Sequence, residues 1–290
     1  MDSEEDVELV VNKIDDCRNM KVLELRGNTI GIEAGKRIAQ ALEKHPELEN
    51  CPMSNIKVNH FQKCLWSDLF TGRLKTEIPV ILRTLCSALI NAKCYITELD
   101  LSDNAFGPIG AEGEFLMSPS AYSLQVLKLN NNGLGAGGKT IARCLLECHK
   151  NALRDSSVFK LKTFIAGRNR LEDPGANALA EAFSVLGSLE EINVAQNGIR
   201  GKGICALARS FKSNPSLRVI NLNDNTCTAE GAIALSEALC GLTKLKILDL
   251  GDSLCRDEGI ISISNATLDG NHKELEVGAN SLSINFFSLI

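Results

Sequence analysis

The sequence predicts an α/β solenoid in which parallel strands alternate with helices, and three observations carry that prediction. First, asparagines at 104, 132, 169, 197 and 225 keep one phase, most of them 28 residues apart. Second, each of them closes the same pattern, Leu-x-x-Leu-x-Leu-x-x-Asn-x-Leu, which is a leucine-rich repeat. Third, small and apolar residues recur at helical spacing after each pattern, as in Gly175 to Phe183 and Ala229 to Leu239. A repeat of that length with a full helix implies a strongly curved horseshoe. Its concave sheet and rim of loops suit the gripping of another macromolecule.

Taken in order, residues Met1 to Asn19 read as an N-terminal cap, with Val7, Leu9, Val10, Val11 and Ile14 expected to cover the edge of the first strand. Met20, Leu23, Leu25, Asn28 and Ile30 form the first copy. The second is degraded: Cys64, Trp66 and Leu69 hold the phase, but 41 residues separate Asn28 from Leu69. Residues 50–62 are therefore expected to be an inserted surface loop. Clean copies follow through Leu99, Leu127, Phe164, Ile192 and Ile220, and Leu248 continues them with Ser253 in the asparagine slot. A ninth copy is expected from Leu275, Val277, Asn280 and Leu282, ahead of an apolar tail, Ser283 to Ile290. That tail departs from the repeat and is expected to be sticky or poorly ordered. Alternating apolar residues put one strand face into the core. The asparagine amides are expected to satisfy backbone groups of adjacent turns. Repetition argues for one domain over residues 1–290, with about eight repeats across 20–270 and the partial copy in 271–290.

Composition narrows the function. A net charge of −5 and a pI near 5.5 disfavour nucleic acid and anionic membranes as partners. Eleven cysteines, an odd count, fall at core positions such as Cys205, Cys227, Cys240 and the pair Cys144/Cys148. They read as buried, reduced thiols of a cytosolic chain. Cys144, Cys148 and His149 supply too few ligands for zinc.

Gly133-Leu-Gly-Ala-Gly-Gly138-Lys139-Thr140 is a literal match to a phosphate-binding loop. The same repeat slot holds Gly107-Pro-Ile-Gly and Gly198-Ile-Arg-Gly, so glycine there is expected only to turn the chain into its helix. More informative is the column two residues beyond the second core leucine: Asp68, Asp103, Asn131, Arg168, Gln196, Asp224 and Asp252. Nothing in the core pattern asks for polar side chains there. A polar column in register, flanked by Arg170 and by Phe70-Thr-Gly-Arg73-Leu-Lys75, reads as a rim for a partner of mixed charge.

These strings resemble the leucine-rich repeat domain of the Ran GTPase-activating proteins. The residues that carry the resemblance are Trp66-Ser-Asp-Leu-Phe-Thr-Gly-Arg73, Leu99-Asp-Leu-Ser-Asp-Asn-Ala-Phe-Gly107, Leu127-Lys-Leu-Asn-Asn-Asn-Gly133, Ala166-Gly-Arg-Asn-Arg-Leu-Glu172 and Val219-Ile-Asn-Leu-Asn-Asp-Asn-Thr226. They span about residues 20 to 260, and relative to that family the chain reads as C-terminally truncated, without its acidic tail. The resemblance implies a fold of the ribonuclease-inhibitor type, strands concave and helices convex. It implies binding of GTP-loaded Ran, with a Ran-binding protein as a companion, and faster hydrolysis of Ran's nucleotide. Many activators insert an arginine finger, worth up to about five powers of ten. Here the resemblance assigns the central role to Asn131, which holds the GTPase's own glutamine against the attacking water. The resemblance points to interface or scaffold roles for Arg73 and Arg170, whereas the residues alone would nominate one of them as a finger, kept as a minor alternative. The expected partner-facing set is Asp68, Arg73, Lys75, Asp103, Asn130, Arg168, Arg170, Gln196, Asp224 and Asp252. GTP and Mg stay on the partner, so no cofactor and no intrinsic hydrolysis are expected. A monomer in the cytoplasm, at or near the nuclear envelope, completes the expectation. The alternative is a non-catalytic inhibitor or scaffold resembling ribonuclease inhibitor.

Overall fold

The computed structural model describes residues 1, 4–17, 20–44, 61–110, 113–269, 272 and 275–278. Two compact units divide it, one made of residues 1–132 and 147–160, the other of 133–146 and 161–290. In the first unit the strands β1 (Val22–Glu24), β2 (Lys63–Leu65), β3 (Glu98–Asp100) and β4 (Val126–Lys128) run parallel. Their helices are α1 (Glu4–Asp16), α2 (Ile32–Lys44), α3 (Glu77–Asn91) and two short pieces, α4 (Gly107–Gly110) and α5 (Glu114–Met117). Helix α6 (Gly137–Arg154) gives its first half to the second unit and its second half to the first. The second unit stacks β5 (Thr163–Ile165), β6 (Glu191–Asn193), β7 (Val219–Asn221), β8 (Ile247–Asp249) and β9 (Glu276–Gly278), again all parallel. Between them run α7 (Glu172–Leu186), α8 (Gly201–Phe211), α9 (Thr228–Leu239) and α10 (Arg256–Asp269). Each unit is thus an α/β solenoid of leucine-rich repeats. Among the described residues no helix is long and apolar enough to cross a membrane.

Register makes the core. Leu23, Cys64, Leu99 and Leu127 pair in one row, and Phe164, Ile192, Ile220 and Leu248 in another; all are buried. Cys64 thereby confirms the phase of the degraded second copy. Opposite them the helices turn in small residues, and a glycine recurs at 175, 203, 231 and 259. A Cβ at Gly231 would stand 2.9 Å from Ile204 Cγ2, and one at Gly259 2.5 Å from Ala232 Cβ. Glycine is what lets successive helices approach this closely.

Buried asparagines at 104, 132, 169, 197 and 225 close the turns of five copies. In the second unit Asn197 Nδ2 donates to the carbonyls of Ala166, Val194 and Ala195 at 2.9–3.0 Å. Asn225 repeats the pattern on Val194, Leu222 and Asn223. In the first unit Asn104 donates to Trp66 and Leu101, and its Oδ1 accepts from the N–H of Leu69 at 2.7 Å. Leu69 carries no such amide, and the Asn28 N–H turns back onto Leu25 O instead.

Four expectations need correction. Helix α1 packs on α2 rather than along β1; it buries Val7, Val11 and Ile14 but leaves Leu9 68% exposed. Phe61 is fully buried and the Gln62 carbonyl accepts from Thr97 and Glu98, so the insertion ends before them. Residues 50–60, like Asn280 and Leu282 of the ninth copy and the tail 283–290, lie outside the described residues. In the ninth copy Leu248 pairs with Val277, so Val277 and not Leu275 takes the first strand slot. Residues 275 and 277 share a strand face, and alternation alone cannot separate them. Finally, Cys240 is exposed and Cys205 only half-buried, whereas Cys144, Cys148 and Cys227 are in the core.

Candidate functional site

The polar column has a backbone cause that the sequence reading missed. Asp68, Asp103, Asn131, Arg168, Gln196, Asp224 and Asp252 all have φ between 51° and 60°, and Gly27 holds the same slot in the first copy at φ 71°. Each strand ends in a left-handed turn. Within each unit the turn's N–H is anchored on the next repeat, as Asp103 N on Asn130 O and Gln196 N on Asn223 O, both at 2.8 Å. Asparagine and aspartate tolerate that conformation better than other non-glycine residues, so their presence there is in part structural. Arginine and glutamine have no such preference. Arg168 and Gln196 are therefore the members that the turn itself does not explain.

In the first unit, Asp103 and Asn131 are exposed and linked. Asn131 Nδ2 donates to Asp103 Oδ1 at 2.9 Å. That bond places the amide nitrogen toward Asp103, and the amide oxygen accepts no hydrogen bond from a described residue. Asn130 is half-buried, its N–H donating to Ser102 Oγ at 3.2 Å. Asp68 accepts from Thr71 Oγ1. Below, on the strand face, Glu98 bridges Lys63 and Lys128, each at 2.8 Å. Partial burial works to raise its pKa, but the two lysine hydrogen bonds win and hold the carboxyl below its ordinary value.

Arg73 is tied to the backbone. Its guanidinium is half-buried and donates to the backbone carbonyls of Met1 and Thr29, at 3.2 and 3.4 Å. It fastens the N-terminus to the first repeat. Lys75 is exposed and makes no ion pair among the described residues.

In the second unit, Gln196 Nε2 donates to Asp224 Oδ2 at 3.0 Å. Arg168, Arg170 and Glu172 occupy alternate left-handed positions, φ 58°, 55° and 52°. Glycine fills the slot of Arg170 in two other copies, Gly133 and Gly198, and the arginine there bears strain of about 1–3 kcal/mol. Arg168 and Arg170 are exposed and form no ion pair among the described residues. Arg170, Gln196, Arg200 and Thr226 line an open cavity of about 480 Å³. Asp252 is exposed one repeat further on.

The phosphate-loop match coincides with repeat geometry. Gly133 and Gly135 sit at left-handed positions, φ 64° and 47°. Gly138 holds the helix-packing slot of Gly175, and a Cβ there would meet Leu171 Cδ2 at 2.5 Å. Three of its four glycines, Gly133, Gly135 and Gly138, thus have a cause in the repeat itself.

Comparison with known proteins agrees with the repeat fold. The family model described as Leucine Rich repeat matches residues 16–39, 92–113 and 213–236. A Caenorhabditis elegans protein named Ran GTPase-activating protein 2 is 57% identical over 202 residues, 68% of this chain and 20% of that protein. A Xenopus laevis protein named Ran GTPase-activating protein 1 is 48% identical over 68% of this chain and 32% of its own length. A Drosophila melanogaster protein named Ran GTPase-activating protein is 46% identical over 66% and 30%. The chain thus spans a fifth to a third of these curated relatives. In its leucine-rich repeats the chain is related by sequence to the Ran GTPase-activating protein family.

Proposed function

We propose that this chain binds GTP-loaded Ran and accelerates hydrolysis of its nucleotide, with Asn131 as the residue that acts on the catalytic centre of the GTPase. The observation that carries the reading is the exposed Asn131 amide, held by a left-handed turn and by Asp103, on a chain 46–57% identical to proteins named for that activity. An amide neither donates a proton for chemistry nor forms a covalent intermediate, so its contribution is positional. Orienting a glutamine and its water converts conformational search into preorganisation, and misplacement by about 1 Å can cost roughly 100-fold in rate. The engagement of Arg73 with backbone carbonyls argues against it as a finger; Arg168 and Arg170 are better suited to binding a partner's acidic groups. Lys75, Asp224 and Asp252 would set affinity in a salt-dependent way. In this reading the nucleotide and its Mg remain on Ran, the chain needs no cofactor, and it works as a monomer in the cytoplasm.

The test is single-turnover hydrolysis of GTP on Ran with and without catalytic amounts of this chain. Acceleration with turnover of many Ran molecules per chain supports activation. Stoichiometric binding without acceleration assigns the chain to the scaffold or inhibitor class.

A further inference from the structure

The geometry points to Asp103 as a positioning residue: by accepting the Asn131 Nδ2–H it fixes the amide with its carbonyl oxygen outward, so Asn131 meets its partner as a hydrogen-bond acceptor. The inference rests on the function proposed above and deepens it, because it specifies that the partner group must be a hydrogen-bond donor, such as a side-chain amide N–H.

An asparagine amide on an exposed turn can rotate about its last bond and present either face. Here one face is taken. Asp103 Oδ1 lies 2.9 Å from Asn131 Nδ2, and an ionised carboxylate only accepts, so it selects the NH2 edge. Both residues are set by their backbones as well as by each other. Each is in the left-handed region, φ 60° and 52°, and the Asp103 N–H is tied to the carbonyl of Asn130, the residue preceding Asn131. The carboxylate and the amide are therefore neighbours because their turns are hydrogen-bonded. The second unit has a similar contact, Gln196 to Asp224, but there the amide is on the earlier copy and its longer stem leaves the head less constrained. The exposed side chain of Asp103 makes no other hydrogen bond or ion pair among the described residues, so the Asn131 amide is its single partner there.

Two substitutions separate this role from a direct affinity role. Asp103→Gly removes the carboxylate while suiting the positive φ, so the turn is not strained. Asp103→Asn keeps an acceptor oxygen and tolerates the same φ. With Ran as substrate, Asp103→Gly is expected to lower kcat by roughly 10- to 100-fold with little change in KM, and Asp103→Asn to recover most of it. In an Asn131→Ala background, Asp103→Gly is expected to add no further loss, because the group it positions is gone. A rise in KM with kcat intact, or losses that multiply in the double variant, would overturn the inference and make Asp103 a contact residue. A wild-type chain that fails to accelerate hydrolysis at all defeats the proposed function instead.

Discussion

The backbone N–H of Asn169 donates to the side-chain oxygen of Asn197, one repeat later, at 3.0 Å. The same oxygen accepts from Leu171 N at 3.3 Å, while the amide nitrogen serves three carbonyls. One fully buried side chain thus satisfies groups from two turns. Asn197→Ala strands them away from water, and each unsatisfied buried group costs about 1–3 kcal/mol, partly relieved by relaxation. Loss of about 3–5 kcal/mol is expected, read as a fall in the denaturant midpoint. A change under about 0.5 kcal/mol would show that the ladder is dispensable.

Helix stacking makes a second demand. At Gly259 a Cβ meets Ala232 Cβ at 2.5 Å, and an alanine methyl has no rotamer by which to yield. Gly259→Ala trades a small gain in helix propensity for overpacking, and a net destabilisation of about 1–3 kcal/mol is expected. Thermal unfolding of this variant against wild type checks it; equal or higher stability would contradict the close packing.

Acid should act on the Lys63–Glu98–Lys128 bridge. The Glu98 pKa is depressed in the folded state, so its contribution is present above about 4.5 and is lost as pH falls through the lower folded value. Both lysines remain solvent-reachable, which limits the contribution to about 1 kcal/mol or less. The stability difference between wild type and Glu98→Gln should be largest near neutral pH and should shrink under acid. A difference that grows on acidification would reverse the assignment.

Thiol chemistry gives a fourth check. Of the ten described cysteines, Cys17 and Cys240 are exposed, whereas burial pushes Cys94 up to about 12 and raises Cys64 well above its ordinary value. Alkylation of the native chain at pH 8 should mark Cys17 and Cys240 quickly, with Cys64 and Cys94 reacting only on unfolding. Rapid native labelling of Cys64 would place it outside the core.

The repeat was legible because its period fixes which residues point inward, and strand pairing then follows from Leu23, Cys64, Leu99 and Leu127 in register. Among the described residues register failed only at Leu275 and Val277, two residues on one strand face that hydrophobic alternation treats alike. The burial of Phe61 was hidden because a degraded copy and an insertion adjoin there. At the site, the column Asp68 to Asp252 was found by phase alone, but its left-handed turns were not. The glycine at 27 and the recurring aspartates and asparagines were the available signal for them. The Asn131–Asp103 bond needed coordinates, since a 28-residue separation does not say which of two rim side chains reaches the other. Likewise, nothing in the sequence marked Arg73 as bound to the carbonyls of Met1 and Thr29.

The most direct measurement is the rate of GTP hydrolysis on Ran, in single turnover, stimulated by wild type and by Asn131→Ala, with the affinity of each for GTP-loaded Ran measured alongside. Wild type should accelerate hydrolysis, and the alanine variant should lose that stimulation by roughly 100-fold or more while keeping much of the binding. Full stimulation by Asn131→Ala would contradict the assignment of that amide to the catalytic centre.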